Sequence, residues 1–422
     1  MSKVNRKGLT PNLRFPEFLS EPGWDLPELE EISDRIQEKA GDSELETISI
    51  SAGIGFVSQK EKFSRDISGQ QYKNYIKLKK GEFAYNKGNS KKFPQGCIYK
   101  LKEFNEGAAP NSFICFRFKP IVVPDFYQGY FESNFHGKQL TKYITSGARM
   151  DGLLNISPDN FFKIILPTPS KKEEQQKIAD CLSSLDELIQ AETERLDALQ
   201  AHKKGLMQQL FPAEGETVPK LRFPEFQDSG EWVERELGEI TSYVDYRGKT
   251  PPKSESGAFL VTAKNIRNGY IDYEVSKEYI PLQAYENVMS RGKPKMGDVL
   301  ITTEAPLGNV ATIDVEEIAL AQRVIKFRGK KNILENPFLK QTFLSPYFQK
   351  KLEKNSTGST AKGIKGSVLR KLIILFPSPK EQQYISLCLS TLDQQIYEQE
   401  KKIESLKSHK KGLLQHLFPQ LD

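Results

Sequence analysis

The phrase HKKGLMQQLFP at residues 202–212 returns as HKKGLLQHLFP at residues 409–419. A second phrase, LRFPEF, occurs at residues 13–18 and again at 221–226. An internal repeat decides the architecture of a chain, so it is considered before any local feature. The 422 residues therefore contain one segment of roughly 200 residues written twice, with similar ends and dissimilar middles.

Each copy closes with one long predicted helix. Residues 173–211 contain no proline, and their apolar residues recur at alternating spacings of four and three. The seam residues are Ile178, Leu182, Leu185, Ile189, Leu196 and Leu199 in the first copy, and Ile385, Leu389, Leu392, Ile396, Ile403 and Leu406 in the second. Glu192 and Lys203 fill two seam positions of the first helix, and Gln399 and Lys410 fill the equivalent two of the second. This alternation predicts a coiled-coil seam of about five heptads in each copy.

The ends of these helices are also marked. Ser378-Pro379-Lys380-Glu381 is a capping box with proline at the first helical position, and Ser170-Lys171-Lys172-Glu173 is the same box without proline. Pro212 and Pro419 end the two helices. Both copies also keep a glycine, Gly205 or Gly412, which costs about 1 kcal/mol inside a helix and predicts a kink or a close backbone contact.

The two helices match position for position, so we expect them to pair with each other; packing of each helix on its own domain is the alternative. The first helix ends at residue 211 and leads into the second variable region, which ends near residue 377, where the second helix starts. The two ends of a compact region lie close together, so the helices are expected to be antiparallel. The first variable region is then expected at the opposite end, related by a pseudo-two-fold axis.

The predicted fold class is α+β, with two mixed α/β domains separated by the two long antiparallel coiled-coil helices. The predicted boundaries are 1–168 for the first domain, 169–212 for the central helix, 213–376 for the linker and second domain, and 377–422 for the C-terminal helix. Strands are predicted at 111–118, 161–166, 258–263, 297–302 and 370–375, and a helix interrupted by Pro346 at 336–355.

The loops of the two domains combine basic residues with Asn, Thr and aromatic residues. Lys and Arg neutralise phosphates, while Asn, Gln and Arg can read base edges. The candidate DNA-binding residues are Lys60, Lys62, Arg65, Lys73, Lys87, Asn89, Lys91, Lys92 and Arg149 in the first domain, and Tyr246, Arg247, Lys249, Thr250, Lys264, Asn265, Arg291, Lys293, Thr360, Lys362 and Lys365 in the second. Each loop alone could be an ordinary solvated loop; together they favour nucleic acid.

Composition narrows the class of protein. The net charge is +6, which is only mildly basic, and the four cysteines include no CxxC pair, so neither a disulfide framework nor a zinc site is expected. The N-terminus has no apolar run typical of a secretory signal, and no stretch approaches the length of a membrane span. We therefore expect a cytoplasmic protein without a membrane segment.

Common catalytic motifs are missing. Gly358 and Gly363 have the spacing of a phosphate-binding loop, but Ile364 stands where that loop requires lysine. Neither HExxH nor GxSxG occurs, and three of the four histidines, His202, His409 and His416, lie in the helical tails. Independent catalysis is therefore disfavoured, although the many acidic residues leave a catalytic carboxylate pair open.

Nearly the whole chain resembles the specificity subunit of type I restriction-modification enzymes. The resemblance rests on the LRFPEF segments, the helix entries ILPTPSKKEEQQKIADCLSSLDELI (165–189) and LFPSPKEQQYISLCLSTLDQQI (375–396), and the closing KKGLxQxLFP. STGSTAKGIKG (356–366) and GDVLITTEAPLGNVA in the second domain are also similar to the family. The first domain departs from this pattern, with TSGARMDGLLN (145–155) and GEFAYNKGNS instead, as expected if the domains recognise different DNA sequences.

The resemblance implies a subunit without catalytic activity. Each domain would recognise one half of a split, asymmetric site in double-stranded DNA. The helices would set the spacing and dock two methyltransferase subunits, which use S-adenosylmethionine to methylate a flipped adenine. Restriction and translocase subunits would add ATP- and magnesium-dependent functions. A stand-alone DNA-binding regulator and a self-contained DNA-modifying enzyme are the competing interpretations.

Overall fold

The computed structural model describes residues 8–88, 93–144, 154–248, 250–358 and 362–421. Two compact units divide the chain. Unit 1 consists of Met1–Glu192 together with Lys402–Asp422, and unit 2 of Thr193–Lys401. Each unit therefore contains part of both long helices. The domain boundaries predicted from the sequence instead treat each long helix as a separate segment. Among the described residues, no helix is both long and apolar enough to cross a membrane.

Unit 1 contains eight described strands and five short helices, and α6 starts in it. The strands are β1 Ser33–Ile36, β2 Ile48–Ser51, β3 Gly55–Ser58, β4 Ile76–Lys79, β5 Phe83–Asn86, β6 Cys97–Lys100, β7 Glu106–Ala109 and β8 Ile114–Phe118. The helices are α1 Leu29–Ile32, α2 Gln59–Phe63, α3 Pro124–Glu132, α4 Phe135–Thr141, α5 Pro158–Phe162 and α6 Lys172–Leu210.

Unit 2 contains the remaining elements. Its strands are β9 Val233–Glu236, β10 Thr241–Asp245, β11 Ala258–Val261, β12 Tyr279–Ile280, β13 Val299–Thr303, β14 Leu307–Thr312, β15 Ala319–Leu320, β16 Val324–Gly329 and β17 Ile373–Phe376. Its helices are α7 Leu237–Ile240, α8 Tyr285–Val288, α9 Asn336–Leu344, α10 Pro346–Lys354 and α11 Gly366–Leu369, and α12 Pro379–Leu417 starts in it and ends in unit 1.

The same four-stranded antiparallel sheet forms in both units. The strand order is β1-β8-β5-β6 in unit 1 and β10-β16-β13-β14 in unit 2. In β13, Val299 and Ile301 belong to one apolar cluster and Leu300 to another, because successive side chains point to opposite faces and both faces are covered. The dissimilar middles of the two copies are therefore built on one scaffold.

Four of the five predicted strand segments contain a strand, namely β8, β11, β13 and β17. The predicted helix at 336–355 is also present as α9 and α10, divided just before Pro346. Of the strand predicted at 161–166, only the end pairs, where Ile165 forms an isolated antiparallel bridge with Glu28, and the start is wrong. Ser157 caps α5 by accepting a hydrogen bond from the Asn160 amide at 3.2 Å, and the helix takes up the start of this apolar run.

The two long helices are antiparallel within unit 1. Asp186 of α6 pairs with Lys410 of α12 at 2.6 Å, while Glu192 pairs with Lys402 at 2.5 Å, so the numbering rises in one helix as it falls in the other. In unit 2, Lys203 of α6 pairs with Asp393 of α12 in the repeat-equivalent arrangement. Of the seam residues, Ile178, Leu182, Ile385, Leu389, Leu392 and Ile403 are buried, and Leu185, Ile189, Leu196, Leu199, Ile396 and Leu406 are half-buried.

A buried ion pair holds the first turn of each long helix. Arg14 donates two hydrogen bonds to Glu174, both at 2.7 Å, and Arg222 donates two to Glu381, both at 2.8 Å. The indole of Trp24 also donates to Glu174, at 3.1 Å. The LRFPEF phrase is thus explained, because its arginine anchors the segment to the helix.

The residue after each of these glutamates makes a second duplicated contact. Gln175 accepts a hydrogen bond from the amide of Val123, the N-cap of α3, at 2.8 Å. Gln382 accepts one from the amide of Glu335, the N-cap of α9, also at 2.8 Å. A backbone donor left over at a helix start is satisfied in both cases. The first turn of each long helix therefore positions a domain helix.

The closing LFP phrase completes the apolar core of each unit. In unit 1 the ring of Phe418 lies 6.2 Å from that of Trp24 and 5.2 Å from that of Phe126. In unit 2 the ring of Phe211 lies 5.9 Å from Trp232 and 5.6 Å from that of Phe338. The end of each long helix is thus a core segment, which is why the phrase occurs twice.

Candidate nucleic-acid interface

Three basic loops of unit 2 are joined by arginine side chains. Arg247, just after β10, donates from Nη2 to the carbonyl of Ile364 at 2.8 Å, in the loop before α11. Arg291, after α8, donates from Nη1 to the carbonyls of Asp245 at 3.0 Å and Arg247 at 2.6 Å. Segments far apart in sequence are thereby brought to one place.

A cleft of about 410 Å³ lies among these loops. Tyr246, Thr250 and Arg291, all candidates from the sequence, line it together with Leu320. The hydroxyl of Thr250 accepts a hydrogen bond from Gln322 at 3.1 Å. The cleft therefore combines hydroxyl, guanidinium and apolar groups, which can contact both phosphates and bases.

The loop before α11 is closed at its base by two backbone hydrogen bonds. The Thr357 amide donates to the Gly363 carbonyl at 2.8 Å, and the Gly363 amide donates to the Thr357 carbonyl at 2.9 Å. Lys362 is exposed and pairs with Glu353, which lowers the pKa of that carboxyl. Lys365 is exposed at the N-cap of α11. Both lysines are accessible to a polyanion.

Two candidates of unit 2 have interior side chains. Asn265 is fully buried, and its amide group donates to the carbonyls of Asp272 at 2.9 Å and Ser276 at 2.8 Å. The prediction that Asn265 contacts DNA is therefore wrong. Its side chain holds its own loop together. Tyr246 is 5% exposed and donates its hydroxyl to the Gly292 carbonyl at 2.5 Å, while burial raises the pKa of that hydroxyl. It forms a wall of the cleft.

The loop after β11 lies against α12. The ring of Tyr270 is 6.4 Å from that of Tyr397, and Lys264 in the same loop is exposed. Lys293 is exposed and pairs with Glu286 at 2.5 Å, and this hydrogen bond raises the pKa of the ammonium. These two lysines remain candidates for phosphate contacts.

The candidates of unit 1 are spread over several loops. Lys60 and Arg65 are exposed on and just after α2. Lys62 donates its ammonium to the carbonyl of Ile50 at 2.6 Å, and burial lowers its pKa. Its first role is to hold α2 against β2, and the two neighbouring cations are the better candidates.

Lys73 and Lys87 lie in different surroundings. Lys73 pairs with Asp42 at 2.5 Å and lines a cleft of about 580 Å³ that also carries Glu44 and Glu46. These carboxylates oppose the binding of a polyanion there. Lys87 is half-buried, and its carbonyl accepts a hydrogen bond from the Leu154 amide at 3.0 Å.

The remaining candidates, Asn89, Lys91, Lys92, Arg149, Lys249 and Thr360, lie outside the described residues.

Sequence reasoning missed Gln322 and Arg323. They connect β15 to β16, and Gln322 bonds to Thr250 while the Arg323 carbonyl accepts a hydrogen bond from the Thr303 amide at 2.8 Å. A pair of polar residues between two strands matches no motif. Only the folded sheet brings them beside Thr250 and Thr303.

Comparison with known proteins matches both copies of the repeat to one family. The family model for the type I restriction modification DNA specificity domain matches residues 26–201 and 229–408. The chain is 28% identical over 286 residues to the type I restriction enzyme MjaVIII specificity subunit of Methanocaldococcus jannaschii, covering 65% of this chain and 66% of that protein. It is 26% identical over 305 residues to the putative MjaX specificity subunit of the same organism, covering 70% and 68%. The matches thus span about two thirds of these relatives.

Two solved structures share the fold. The S subunit of a type I restriction-modification system from M. genitalium aligns with a TM-score of 0.61 at 16% identity, over 98% of this chain and all of that one. A chain from a structural study of complex assembly and conformational transition in a type I system aligns with a TM-score of 0.53 at 17% identity, over 94% and 98%. The duplicated scaffold and the two matched segments lead to one assignment. This chain belongs to the type I restriction-modification DNA specificity family.

Proposed function

We propose that this chain is the DNA-recognition subunit of a type I restriction-modification complex. Each unit binds one half of a split, asymmetric site in double-stranded DNA. The long helices set the spacing of the two half-sites and dock two methyltransferase subunits. The chain works in the cytoplasm and has no catalytic site of its own.

The observation that carries this proposal is a constant scaffold with different loops. Both units have the same sheet order and the same arginine–glutamate clamp. The segment STGSTAKGIKG at 356–366 in unit 2 corresponds to a different sequence, TSGARMDGLLN, in the first copy. Phosphate contacts position a protein on DNA and loop side chains read the bases, so a shared scaffold with different loops suits two different half-sites.

The partners follow from the duplication. Two equivalent helical segments provide two equivalent surfaces, which suit two copies of one methyltransferase subunit. Those subunits would bind S-adenosylmethionine, and restriction and translocase subunits would use ATP and Mg²⁺. This chain would bind none of these cofactors.

Co-expression with the methyltransferase subunit tests the proposal. The purified complex should contain two methyltransferase copies per chain and methylate adenines in one bipartite sequence, which sequencing of methylated DNA would reveal. The chain alone should transfer no methyl group. Methyl transfer by the chain alone would instead support a self-contained enzyme. Specific binding without any partner, with no effect of the methyltransferase, would support a stand-alone regulator.

Loop substitutions then test which unit reads which half. Arg247→Ala and Lys362→Ala should weaken methylation through one half-site, because Arg247 holds the loops of unit 2 together and Lys362 is exposed in the loop before α11. Arg65→Ala, in unit 1, should act on the other half-site. Binding of the complex should weaken with salt, with a log–log slope of roughly −0.9 per phosphate neutralised. Effects of all three on the same half-site would contradict the division of labour.

A further inference from the structure

The backbone of Arg323 has an unusual conformation. Its φ angle is 71°, in the left-handed region that residues with a side chain rarely adopt. The neighbours hold it there: the Thr303 amide bonds to its carbonyl at 2.8 Å, and Val324, the next residue, is fully buried. Strained backbone of this kind is often found at functional sites. The conformation fixes where the side chain starts.

The guanidinium of Arg323 differs from those of the other arginines nearby. Arg247 and Arg291 both donate to backbone carbonyls, and Arg247 also pairs with Asp245, so they hold loops together. The side chain of Arg323 is 54% exposed, and within the described residues its ion-pair partner is Glu304, with the Nε and Oε2 atoms 3.8 Å apart. A guanidinium has five N–H donors in a rigid plane, so most of them are available to a ligand.

Glu304 is suited to orient this guanidinium. It follows β13, its backbone forms an isolated β-bridge with Gly363 of the loop before α11, and its carboxylate pairs with Arg323. Its side chain is 44% exposed. A carboxylate beside an arginine limits the directions in which the planar fork can point.

We propose that Arg323 reads a guanine in the half-site bound by unit 2 and that Glu304 orients its guanidinium. The inference rests on the proposed function. Among the base edges of the major groove, guanine presents the O6 and N7 acceptor pair that fits the two parallel donors of an arginine. Arg323 is thus a specificity-determining residue and Glu304 a positioning residue.

The first copy has a different residue at the equivalent place. β8 and β16 occupy the same position in the two sheets, and Arg117 and Arg328 pair with the equivalent acidic residues Glu82 and Asp298. Counting back along the strands makes Ser112 of unit 1 the residue equivalent to Arg323. Serine lacks the fork, so this guanine contact is specific to unit 2 and the half-sites differ there.

Methylated adenines should be mapped for the complex with methyltransferase subunits, comparing the wild type with Arg323→Ala and Arg323→Lys. In the wild type, one half-site should contain an invariant guanine. Both variants should accept other bases at that one position, with discrimination reduced on the order of 10- to 100-fold. Lysine keeps the charge but not the fork, so it should preserve affinity better than alanine. Glu304→Ala should reduce discrimination less.

Two further variants complete the test. Arg323→Gly removes the side chain and suits a positive φ, so it should fold at least as well as the wild type and show the same relaxed position. Ser112→Ala should leave both half-sites unchanged. Loss of methylation at all sites with the guanine retained would indicate a phosphate contact, and a relaxed position that is not guanine would also overturn the inference. Absence of any bipartite site in the wild type would count against the proposed function itself.

Discussion

Arg222 donates two hydrogen bonds to Glu381 at 2.8 Å, and Arg14 binds Glu174 in the same way, with each arginine a nearly constant distance along the sequence from its glutamate. The Arg222 and Glu381 side chains are 8% and 1% exposed. Buried charges are tolerated when they are paired and hydrogen-bonded. The clamp therefore fixes how each long helix starts against its own copy.

Arg222→Ala should destabilise unit 2 severely. The substitution leaves the carboxylate of Glu381 buried without its partner, which typically costs about 3–5 kcal/mol. Denaturant unfolding followed by circular dichroism would measure the loss. Lys350→Ala is the matched control, because the pair of Lys350 with Glu214 is exposed and should matter little. Equal effects of the two substitutions would refute a special role for the clamp.

Gly412→Ala should stabilise the protein by about 1 kcal/mol, because alanine is the better helix former. A Cβ atom at Gly412, or at Gly205, meets no heavy atom within 4 Å, so of the two alternatives that the sequence left open there, the close backbone contact is wrong among the described residues. Gly129→Ala is the opposite case, because its Cβ would lie 2.6 Å from Cδ1 of Leu182. The midpoint temperature of thermal unfolding should be higher than that of the wild type for Gly412→Ala and lower for Gly129→Ala. If Gly412→Ala weakens methyltransferase binding, the glycine serves a partner.

Acid should destabilise unit 1 through His136. The ring is fully buried, neither nitrogen has a hydrogen-bond partner among the described residues, and burial lowers the pKa from 6.5 to about 3. The unfolded chain therefore binds a proton that the folded chain excludes, and stability falls as the pH drops from 6.5 toward 3. The slope should be about 1.4 kcal/mol per pH unit for this group.

The His136→Leu variant isolates this contribution. Between pH 6.5 and 5, its unfolding free energy should fall less than that of the wild type. The difference between the two decreases should be about 2 kcal/mol. The comparison is between the slopes of unfolding free energy against pH. A constant difference in stability caused by altered packing therefore cancels. Parallel pH profiles would show that His136 does not govern the acid sensitivity.

A heptad inserted into both long helices should lengthen the spacer between the half-sites. Seven residues after Glu192 and after Gln399 preserve the seam and add roughly 10 Å, or about three base pairs. The loops are untouched, so each half-site should keep its sequence, although the twist of the longer spacer should reduce affinity. Mapping of methylated sites would measure the gap. An active enzyme with the original gap would show that other elements fix it, and a four-residue insertion should disrupt the seam.

The repeating parts of the chain were the predictable ones. Heptad spacing and proline positions located α6 and α12, because helix periodicity and helix ends depend on local sequence. Contacts between distant residues, such as Arg14 with Glu174, have no local signal. The run at 161–166 misled because a short apolar segment looks the same in a strand and at a buried helix end. Asn265 misled because a polar residue type does not reveal burial.

The way unit 1 is assembled from two stretches of chain has a consequence during synthesis. Its apolar cluster contains Trp24 but also Leu414, Leu417 and Phe418, which the ribosome adds only after the whole of Thr193–Lys401. Unit 2 is continuous and can fold as soon as it emerges, since domains generally fold as units. The part made first therefore matures last. Until then its aromatic surface is available to chaperones, and a prematurely terminated product would expose it to proteases.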